Sequence, residues 1–450
     1  HKLHGELEAA VECYRAAIER DAAFCDAHCL LAFLLYKLGR YEESRASHAA
    51  ALAIKPDFAE VHHNLGLLRL ETGYPEEALA SFERALELRP GTLETQTCIA
   101  HALRDLGRLD QALAHYDGVL ARQPHFGDAL INRCYALLIR GDYAAGWAEY
   151  ERRFVATGTP TRGFPFPEWR GEPLAGKRIL IYAEQGLGDE IMFASCVPDV
   201  LRRAAHVVIE SNTRLAPLFT RSFPQAAVHG ANKDDDHAWL QALPRVDFQV
   251  AVGSLPLHFR ATRAAFPANA GYLVADGARI ERWRTRLAPS GDRLRVGIAW
   301  RGGSLRTRQL TRSLALAHWQ ALLTQPSVDF VSLQYGDVTD ESAQLRDRHG
   351  VTVRSFGDEF ADIDELAAAI AVLDLVISVD NTVAHLAGAL GRPVWVLLPF
   401  APEWRYLRSG DTMPWYPSAR LFRQTRPREW ESVLAEMAAA LRQVRGRNGA

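Results

Sequence analysis

Two stretches of the chain place polar residues directly after short apolar runs, where such residues often carry chemistry. In the first, Asp380, Asn381 and Thr382 follow the run LVISV and precede a helix-like segment that contains His385. A strand that turns straight into a helix leaves backbone N–H groups unpaired at the helix N-terminus, and the helix dipole adds positive potential there. The stretch Leu375–Gly388 is therefore expected to bind a diphosphate. The alternative is an ordinary turn in which Asp380 or Asn381 caps the helix.

The second stretch, EQGLGDE, follows the run RILIYA. Gly186 and Gly188 permit a tight turn that leaves one side open. The stretch matches only part of a dinucleotide-binding fingerprint because Ile191 occupies the place of the third glycine, and this disfavours a nicotinamide or flavin cofactor. Asp189 is then either a general base that takes a proton from an acceptor hydroxyl or the N-cap of the following helix. The substrate-contact candidates of this stretch are Gln185, Gly186 and Gly188.

An arginine-rich loop follows the apolar run VGIAW. Arg301 opens this loop and Arg312 closes it, immediately before a segment that contains Trp319. Guanidinium groups suit the recognition of phosphate, so we expect Arg312 to reach the diphosphate; a solvated basic loop is the alternative for some of these arginines. The other loop residues named in this interpretation are Ser304, Arg306 and Arg308.

Further candidates also follow apolar runs. Gln334 is expected to contact the base or ribose edge of a nucleotide. Trp404 and Arg405 are expected to form one wall of the pocket for the donor substrate, and Ser254 is expected to border the acceptor substrate. Two acidic clusters, Asp234-Asp235-Asp236 and Asp362-Ile363-Asp364, have a spacing by which some sugar transferases hold a metal. We interpret them as a solvated loop and a helix cap, and we expect no catalytic metal and no cofactor.

Short apolar runs that alternate with helical segments after residue 178 predict parallel sheets with helices on both faces. Two such halves are expected to form a ligand cleft at the carboxyl ends of their strands. We divide this part of the chain into 178–290 and 291–450, and the Pro- and Gly-punctuated stretch 155–177 joins it to residues 1–154.

Residues 1–154 repeat with a period of 34. Glycines, aromatic residues, prolines and small residues each recur in register, a pattern typical of tetratricopeptide repeats. Such repeats form a solenoid whose concave groove commonly binds an extended peptide. Asn64 and Asn132 occupy equivalent positions, where they either face that groove or are merely solvated. The glycines are Gly5, Gly39, Gly73, Gly107 and Gly141; the aromatic positions are Tyr14, His48, Phe82, Tyr116 and Tyr150; the small residues are Ala32, Gly66, Ala100 and Cys134.

The 450 residues carry a formal net charge of −2, which argues against a dedicated nucleic-acid binder. No run of some eighteen apolar residues predicts a membrane span. The six cysteines have no metal-binding spacing and fit a reducing cytoplasm. The sequence starts at His1, so we expect that further segments precede it.

The stretches GLGDEIMFASCVP and ISVDNTVAHLAGALGRPVWVLL resemble the two glycine/aspartate motifs of the heptosyltransferase-like glycosyltransferases, which have two Rossmann-like domains (the GT-B fold). The spacing from Arg312 to Trp319 is similar to that family's basic residue before a tryptophan helix. The fusion of repeats to such a region resembles the bacterial tetratricopeptide glycosyltransferases and, more distantly, protein O-GlcNAc transferase.

This resemblance implies an inverting, metal-independent transfer of a sugar from a nucleotide sugar, with residues 178–290 on the acceptor side and 291–450 on the donor side. By it, Asp189 matches the base, Arg312 the residue that steadies the leaving diphosphate, and Asp380, Thr382 and His385 the donor-binding segment. Protein O-GlcNAc transferase uses a base arrangement with no match here, so the donor does not follow from the resemblance. We expect a protein acceptor in the repeat groove; the alternatives are a cell-surface glycan or lipid-linked acceptor, or a non-catalytic nucleotide-binding scaffold.

Overall fold

A computed structural model describes residues 2–232, 235–268, 271–288, 291–303 and 309–448. The chain separates into two compact units: among the described residues, the first comprises 2–136 and 309–311, and the second comprises the rest from Leu137 onward. The loop residues Ser304, Arg306 and Arg308 and the acidic residue Asp234 lie outside the described residues.

The repeat region consists of consecutive helices, as its period of 34 predicts. Helices α2 and α3, α4 and α5, and α6 and α7 form antiparallel pairs, and α8 continues across the division. The helices are α1 (Lys2–Arg20), α2 (Cys25–Lys37), α3 (Tyr41–Ile54), α4 (Ala59–Glu71), α5 (Pro75–Leu88), α6 (Leu93–Asp105), α7 (Leu109–Arg122), α8 (Gly127–Arg140), α9 (Tyr143–Tyr150) and α10 (Arg153–Thr157).

The columns of small and aromatic residues explain how the paired helices approach each other. A methyl group on Gly66 of α4 would lie 2.5 Å from the ring of Phe82 in α5, so only a glycine permits this contact. Ala32, Ala100 and Tyr116 are also fully buried at their equivalent positions. Gly5 departs from the pattern because it lies inside α1, whereas the later glycines occupy turns between helices. Both columns thus contribute to the packing of the paired helices.

Residues 158–177 pack against the first α/β half. Phe164 is buried in one apolar cluster with Leu180 and Tyr182. The backbone N–H of Trp169 donates to the carbonyl oxygen of Gln249 at 2.7 Å, so the segment pairs with the edge of the first sheet.

The first α/β half contains a parallel sheet in the order β3-β2-β1-β4. Its apolar strands are buried on both faces, as parallel sheets require. The strands are β1 (Arg178–Tyr182), β2 (His206–Asn212), β3 (Ala226–Ala231) and β4 (Phe248–Ala251), and the helices between and after them are α11 (Leu187–Phe193), α12 (Val197–Leu201), α13 (Ala216–Ser222) and α14 (Leu255–Phe259).

The second half contains a parallel sheet in the order β10-β9-β8-β5-β6-β7, the order of a doubly wound dinucleotide-binding fold. The segment that contains Trp319 begins as a 3-10 turn at Leu316–Trp319 and continues as a short α-helix. The strands are β5 (Leu294–Ala299), β6 (Val328–Ser332), β7 (Val353–Arg354), β8 (Leu375–Val379), β9 (Val394–Leu398) and β10 (Ala419–Arg423). The helices are α15 (Gly277–Arg286), α16 (Gln309–Arg312), α17 (Gln320–Leu323), α18 (Thr339–His349), α19 (Ile363–Val372), α20 (Thr382–Ala389) and α21 (Glu431–Asn448).

The predicted fold class is therefore confirmed: helical repeats are followed by an α/β region with two parallel sheets. Within the described part of the chain, no helix combines the length and the apolar character that crossing a bilayer requires.

Candidate functional site

The candidate site lies at the carboxyl ends of the parallel strands, where ligands of open α/β sheets usually bind. Asp189 follows β1, Arg301 follows β5, Gln334 follows β6, Asp380 follows β8 and Arg405 follows β9. Both α/β halves belong to the same compact unit.

Asp380 lies at the centre of this site, and only 2% of its surface is exposed. The Arg312 guanidinium donates to the main-chain oxygen of Asp380 at 2.8 Å and lies 2.9 Å from its carboxylate. The Tyr406 hydroxyl donates to the other carboxylate oxygen at 2.6 Å. Burial alone would raise the pKa of Asp380, but Arg312, Arg405 and the Tyr406 hydrogen bond hold that pKa below its usual value. The Asp380 carboxylate is therefore ionised, and both of its oxygens contact neighbouring side chains.

Asp189 from the first half forms an ion pair with Arg405 from the second. An Arg405 nitrogen lies 2.6 Å from the Asp189 carboxylate, and a second nitrogen lies 3.8 Å from that of Asp380. The N-cap of α11 is Gly186, and Asp189 stands inside the first turn. The alternative prediction, that Asp189 caps the helix, is wrong. Its side chain is 23% exposed, so a substrate hydroxyl can reach the carboxylate.

Gly188 brings the start of α11 against the start of α20. A methyl group at Gly188 would lie 3.1 Å from His385 Cδ2 and 3.7 Å from Thr382 Oγ1. The two stretches identified from the sequence, one in each half, therefore meet in the folded chain. Gly186 lies at the exposed edge of this contact.

His385 is buried and neutral at neutral pH. Burial, with a smaller contribution from Arg405, lowers the pKa of His385 to about 3. Its Nδ1 is 3.1 Å from the Tyr416 hydroxyl, and its Nε2 is 3.9 Å from the Asp380 carboxylate. A neutral imidazole can donate a hydrogen bond from one ring nitrogen and accept one at the other, so His385 can position a hydroxyl without adding charge to the site.

Asn381 caps α20, which confirms the alternative weighed for this stretch. Its side-chain oxygen accepts hydrogen bonds from the N–H groups of Val383 and Ala384 at 2.9 and 3.3 Å. Its amide nitrogen donates to the carbonyl oxygen of Arg301 at 3.1 Å. The expectation that these first-turn N–H groups are free for a diphosphate is therefore wrong for this conformation.

Gln334 and Arg301 stabilise the ends of β5 and β6. The Gln334 side-chain oxygen accepts from the backbone N–H groups of Trp300 and Arg301 at 3.0 and 2.8 Å. The Arg301 guanidinium lies 3.3 Å from Glu341. Contact of these two side chains with a nucleotide stays a prediction, and the contacts described give each a positioning role.

Gln185 and Ser254 lie beside a buried ion pair on the first half. Arg153 and Glu184 are 2.6 Å apart, and Ser254 accepts a hydrogen bond from Arg153 at 2.9 Å. The Gln185 amide donates to the Tyr150 hydroxyl at 2.6 Å, and its side chain is exposed. Gln185 is thus accessible to an acceptor, whereas Ser254 supports Arg153.

Trp404 lies in an aromatic cluster formed by Trp147, Phe193 and Trp415. Its ring centroid is 5.5 Å from that of Trp147 and 6.3 Å from that of Phe193. Because only 6% of Trp404 is exposed, the structure gives this ring a packing role. Its contact with a donor stays a prediction.

The second acidic cluster is the helix cap that the sequence predicts. Asp362 accepts a hydrogen bond from the N–H of Asp364 at 2.8 Å, and Asp364 is 2.5 Å from Arg221. Among the described residues, no three His, Cys, Asp or Glu side chains are grouped as metal ligands.

Sequence reasoning missed Tyr406 and Tyr416, and it placed Arg405 in a pocket wall without predicting its ion pair with Asp189. The sequence signal for Arg405 was its place after β9, next to Trp404, but its partner Asp189 is 216 positions away. Tyr406 is adjacent to Arg405, whereas Tyr416 gives no local signal for its contact with His385.

The fold and site define the class of the chain: tetratricopeptide repeats followed by an α/β region with two parallel sheets. Family models described as "TPR repeat" match residues 3–39 and 34–73. Models described as "Tetratricopeptide repeat" match residues 59–92 and 99–160. The predicted repeats are thus confirmed.

A curated relative is Protein FlbA of Caulobacter vibrioides, 35% identical over 324 residues. The match covers 69% of this chain and 54% of that protein, so the chain spans about half the length of this relative.

Solved structures resemble separate parts of the chain. A glycosyl transferase family 9 protein from Veillonella parvula has a TM-score of 0.46 and 11% identity, over 60% of this chain and 97% of its own. TTC0263, a TPR protein of Thermus thermophilus, has a TM-score of 0.27 and 27% identity, over 30% of this chain and 74% of its own. YrrB, described as a TPR protein with an unusual peptide-binding site, has a TM-score of 0.27 and 25% identity, over 34% and 74%. At these TM-scores the likenesses do not indicate what the chain does.

Proposed function

We propose that the chain is a glycosyltransferase that moves a sugar from a nucleotide sugar to a protein acceptor held by the repeats. One observation carries this proposal. At the carboxyl ends of two parallel sheets, Asp189 of the first half pairs with Arg405 of the second half, and Arg405 lies 3.8 Å from the Asp380 carboxylate that Arg312 contacts. This arrangement combines a carboxylate that can accept a proton with two guanidinium groups that can bind a diphosphate.

On the donor side, Arg312 and Arg405 are the groups suited to the nucleoside diphosphate. Both guanidinium groups are largely buried, with 12% and 11% of their side chains exposed. Fixed charges in a site shielded from water stabilise a developing negative charge more strongly than charges in water do. Two arginines so placed can supply the positive charge that a divalent metal supplies in other transferases.

On the acceptor side, Asp189 takes the proton. The acceptor hydroxyl oxygen forms a bond with the anomeric carbon while the bond from that carbon to the donor phosphate oxygen breaks. The hydroxyl proton passes to Asp189, and the bonding electron pair leaves with the diphosphate toward the arginines. Attack from the face opposite the leaving group inverts the anomeric centre.

The repeats are the proposed site of the protein acceptor. Asn64 lies on α4, and its amide nitrogen makes a long contact of 3.7 Å with Cys29 Sγ. Asn132 occupies the equivalent position of α8. Its side-chain oxygen accepts a hydrogen bond from Arg104 at 2.5 Å, and its amide nitrogen donates to the Asp128 carboxylate at 2.8 Å. This difference favours Asn64 over Asn132 as a hydrogen-bonding partner for a peptide backbone.

The first experiment is a screen of ADP-, UDP-, GDP- and CMP-linked sugars by thermal shift and calorimetry without added metal. A ligand that binds the folded chain raises its apparent stability by mass action, so a donor is detected before the acceptor is known. One sugar nucleotide that binds supports the proposal and fixes the donor class. Absence of binding by every nucleotide sugar and every nucleoside diphosphate at millimolar concentration would contradict it.

The acceptor is tested next, with the full chain and the donor that binds. Transfer of labelled sugar to a polypeptide supports a protein acceptor, and Asn64→Ala should then raise the KM for that polypeptide. Transfer only to a glycan or a lipid-linked sugar would contradict the protein acceptor while leaving the transferase chemistry intact.

A further inference from the structure

The ion pair between Asp189 and Arg405 has a chemical consequence for the order of binding. While its carboxylate lies 2.6 Å from the Arg405 guanidinium, one carboxylate oxygen of Asp189 is occupied by that guanidinium and is not free to accept a hydrogen bond from an acceptor hydroxyl. The ion pair therefore ties up both Asp189, the proposed base, and Arg405, one of the two arginines proposed to bind the diphosphate.

The charges around Arg405 show which of its partners can be exchanged. Asp380 is already bound by Arg312 at 2.9 Å and by Tyr406 at 2.6 Å, so it remains compensated without Arg405. Arg405 itself is 3.8 Å from Asp380 and much closer to Asp189. Asp189 is thus the principal counter-ion of Arg405.

The environment of Arg405 leaves it with unused hydrogen-bonding capacity. Its Nε atom is buried and has no hydrogen-bond partner among the described residues. Burial would lower the pKa of Arg405, but Asp189 and Asp380 raise that pKa well above its usual value, so the guanidinium remains charged. A buried cation with an unsatisfied N–H group gains from a ligand that brings several anionic oxygens.

We infer that donor binding exchanges the partner of Arg405: the diphosphate replaces Asp189 as the anion paired with Arg405, and Asp189 is released as a free carboxylate. This inference rests on the proposed function, because it concerns the regulation of the same site. The whole Asp189 carboxylate becomes available to the acceptor hydroxyl only when the donor is in place. Asp189 acts in the empty site as an intramolecular competitor of the diphosphate.

The test is a binding comparison with nucleoside diphosphates alone. UDP, ADP, GDP and CDP are titrated by calorimetry, at one fixed ionic strength, into the wild-type chain, Asp189→Asn, Arg405→Lys and the double variant. Asp189→Asn removes the competing charge with little change in size, so the diphosphate should bind about tenfold more tightly, which is within the coupling range of neighbouring charged groups. Arg405→Lys should bind about tenfold more weakly, since the guanidinium fork is lost.

The double variant supplies the decisive comparison. If Asp189 acts through Arg405, Asp189→Asn gives a smaller gain in the Arg405→Lys background than in the wild type. Asp358→Asn, at an exposed position on the surface, is the matched control and should leave the affinity unchanged. The unfolding temperature of each variant verifies that it is folded.

Each outcome separates this inference from the proposed function. The exchange is overturned if wild type and Asp189→Asn bind the diphosphate equally well, or if Asp189→Asn raises the affinity equally in the wild type and in Arg405→Lys. Loss of sugar transfer in Asp189→Asn would then still support the transferase. Tighter binding that depends on Arg405, with unchanged transfer, would uphold the exchange and remove Asp189 as the base. If no nucleoside diphosphate binds any variant, both proposals fall.

Discussion

Arg312 contacts Asp380 through both the main chain and the side chain, at 2.8 Å to the carbonyl oxygen and 2.9 Å to the carboxylate. One guanidinium group thus fixes the turn after β8 and balances the charge of its aspartate. The proposed function assigns the same guanidinium group to the diphosphate.

Replacement of Arg312 by alanine should therefore abolish nucleoside diphosphate binding in calorimetry. It should also lower the free energy of unfolding by about 3–5 kcal/mol, because a buried carboxylate loses its main partner. Tyr406→Phe is the control: it removes the other hydrogen bond to Asp380 and lowers stability, but it should retain diphosphate binding. Unaltered affinity in Arg312→Ala would exclude Arg312 from the donor site.

Asp189→Asn should reduce the rate of sugar transfer by about 10²–10⁴-fold, the usual contribution of a general base. The asparagine keeps the shape of the side chain but cannot accept the proton. The rate is measured at saturating donor, so that altered donor affinity does not affect it. A rate within twofold of the wild type would show that another group accepts the proton.

Gly302→Ala should disrupt the loop after β5, because the added methyl group would lie 2.5 Å from the carbonyl oxygen of Asp380. Neither backbone segment can move without disturbing the Arg312 contact, so we expect a clear decrease in unfolding temperature and weaker diphosphate binding. Gly277→Ala is the matched control, since the space around Gly277 is open and the residue begins α15. A Gly302→Ala variant as stable as Gly277→Ala would contradict this packing.

Acid should destabilise the chain below about pH 6.5. Burial lowers the pKa of His385 to about 3 and that of His48 to about 4, so both are neutral when folded, whereas the unfolded chain protonates them near pH 6.5. The unfolded state therefore binds more protons, and stability decreases by about 1.4 kcal/mol per pH unit for each histidine as the pH falls from 6.5 toward these values.

The variant for this test is His48→Phe, which restores an aromatic residue typical of its column and should make the pH dependence of unfolding shallower. His125→Ala, at an exposed position, should leave the slope unchanged. An identical slope in His48→Phe and the wild type would mean that His48 does not become charged on unfolding in this range.

In the repeats, Asn132→Ala should lower the free energy of unfolding by about 1–3 kcal/mol, because Arg104 loses an acceptor in a partly buried site. Asn64→Ala should change stability little, because the amide contact of Asn64 is long. Chemical denaturation of both variants checks this contrast. Equal losses would mean that Asn64 contributes to the fold as much as Asn132 does.

Local patterns predicted the parts of the fold that repeat or that are buried on both faces. The period of 34 identified the helical repeats and their columns of small and aromatic residues, and the apolar runs located β1, β5, β6, β8 and β9. The edge strands β3 and β10 were missed. Both lie at the margin of a sheet and contain residues that are not fully buried, so neither forms a continuous apolar run.

The candidate site was predictable only in its components. Strand ends and residue types singled out Asp189, Arg312 and His385, since these features are local. The pairing of Asp189 with Arg405 could not be predicted, because it depends on how two separate sheets come together. The cap formed by Asn381 was one of two local possibilities, and only the hydrogen bonds of the folded chain distinguish them.

The aromatic cluster next to the candidate site gives the chain an intrinsic optical reporter. Trp404 directly precedes Arg405, and its ring is 5.5 Å from Trp147 and 6.4 Å from Trp415. The Arg405 guanidinium lies 5.2 Å from the centre of the Trp404 ring, so a ligand that draws Arg405 away from Asp189 alters the electronic environment of this indole. Tryptophan emission and near-ultraviolet circular dichroism can therefore follow occupancy of the site in the unlabelled protein.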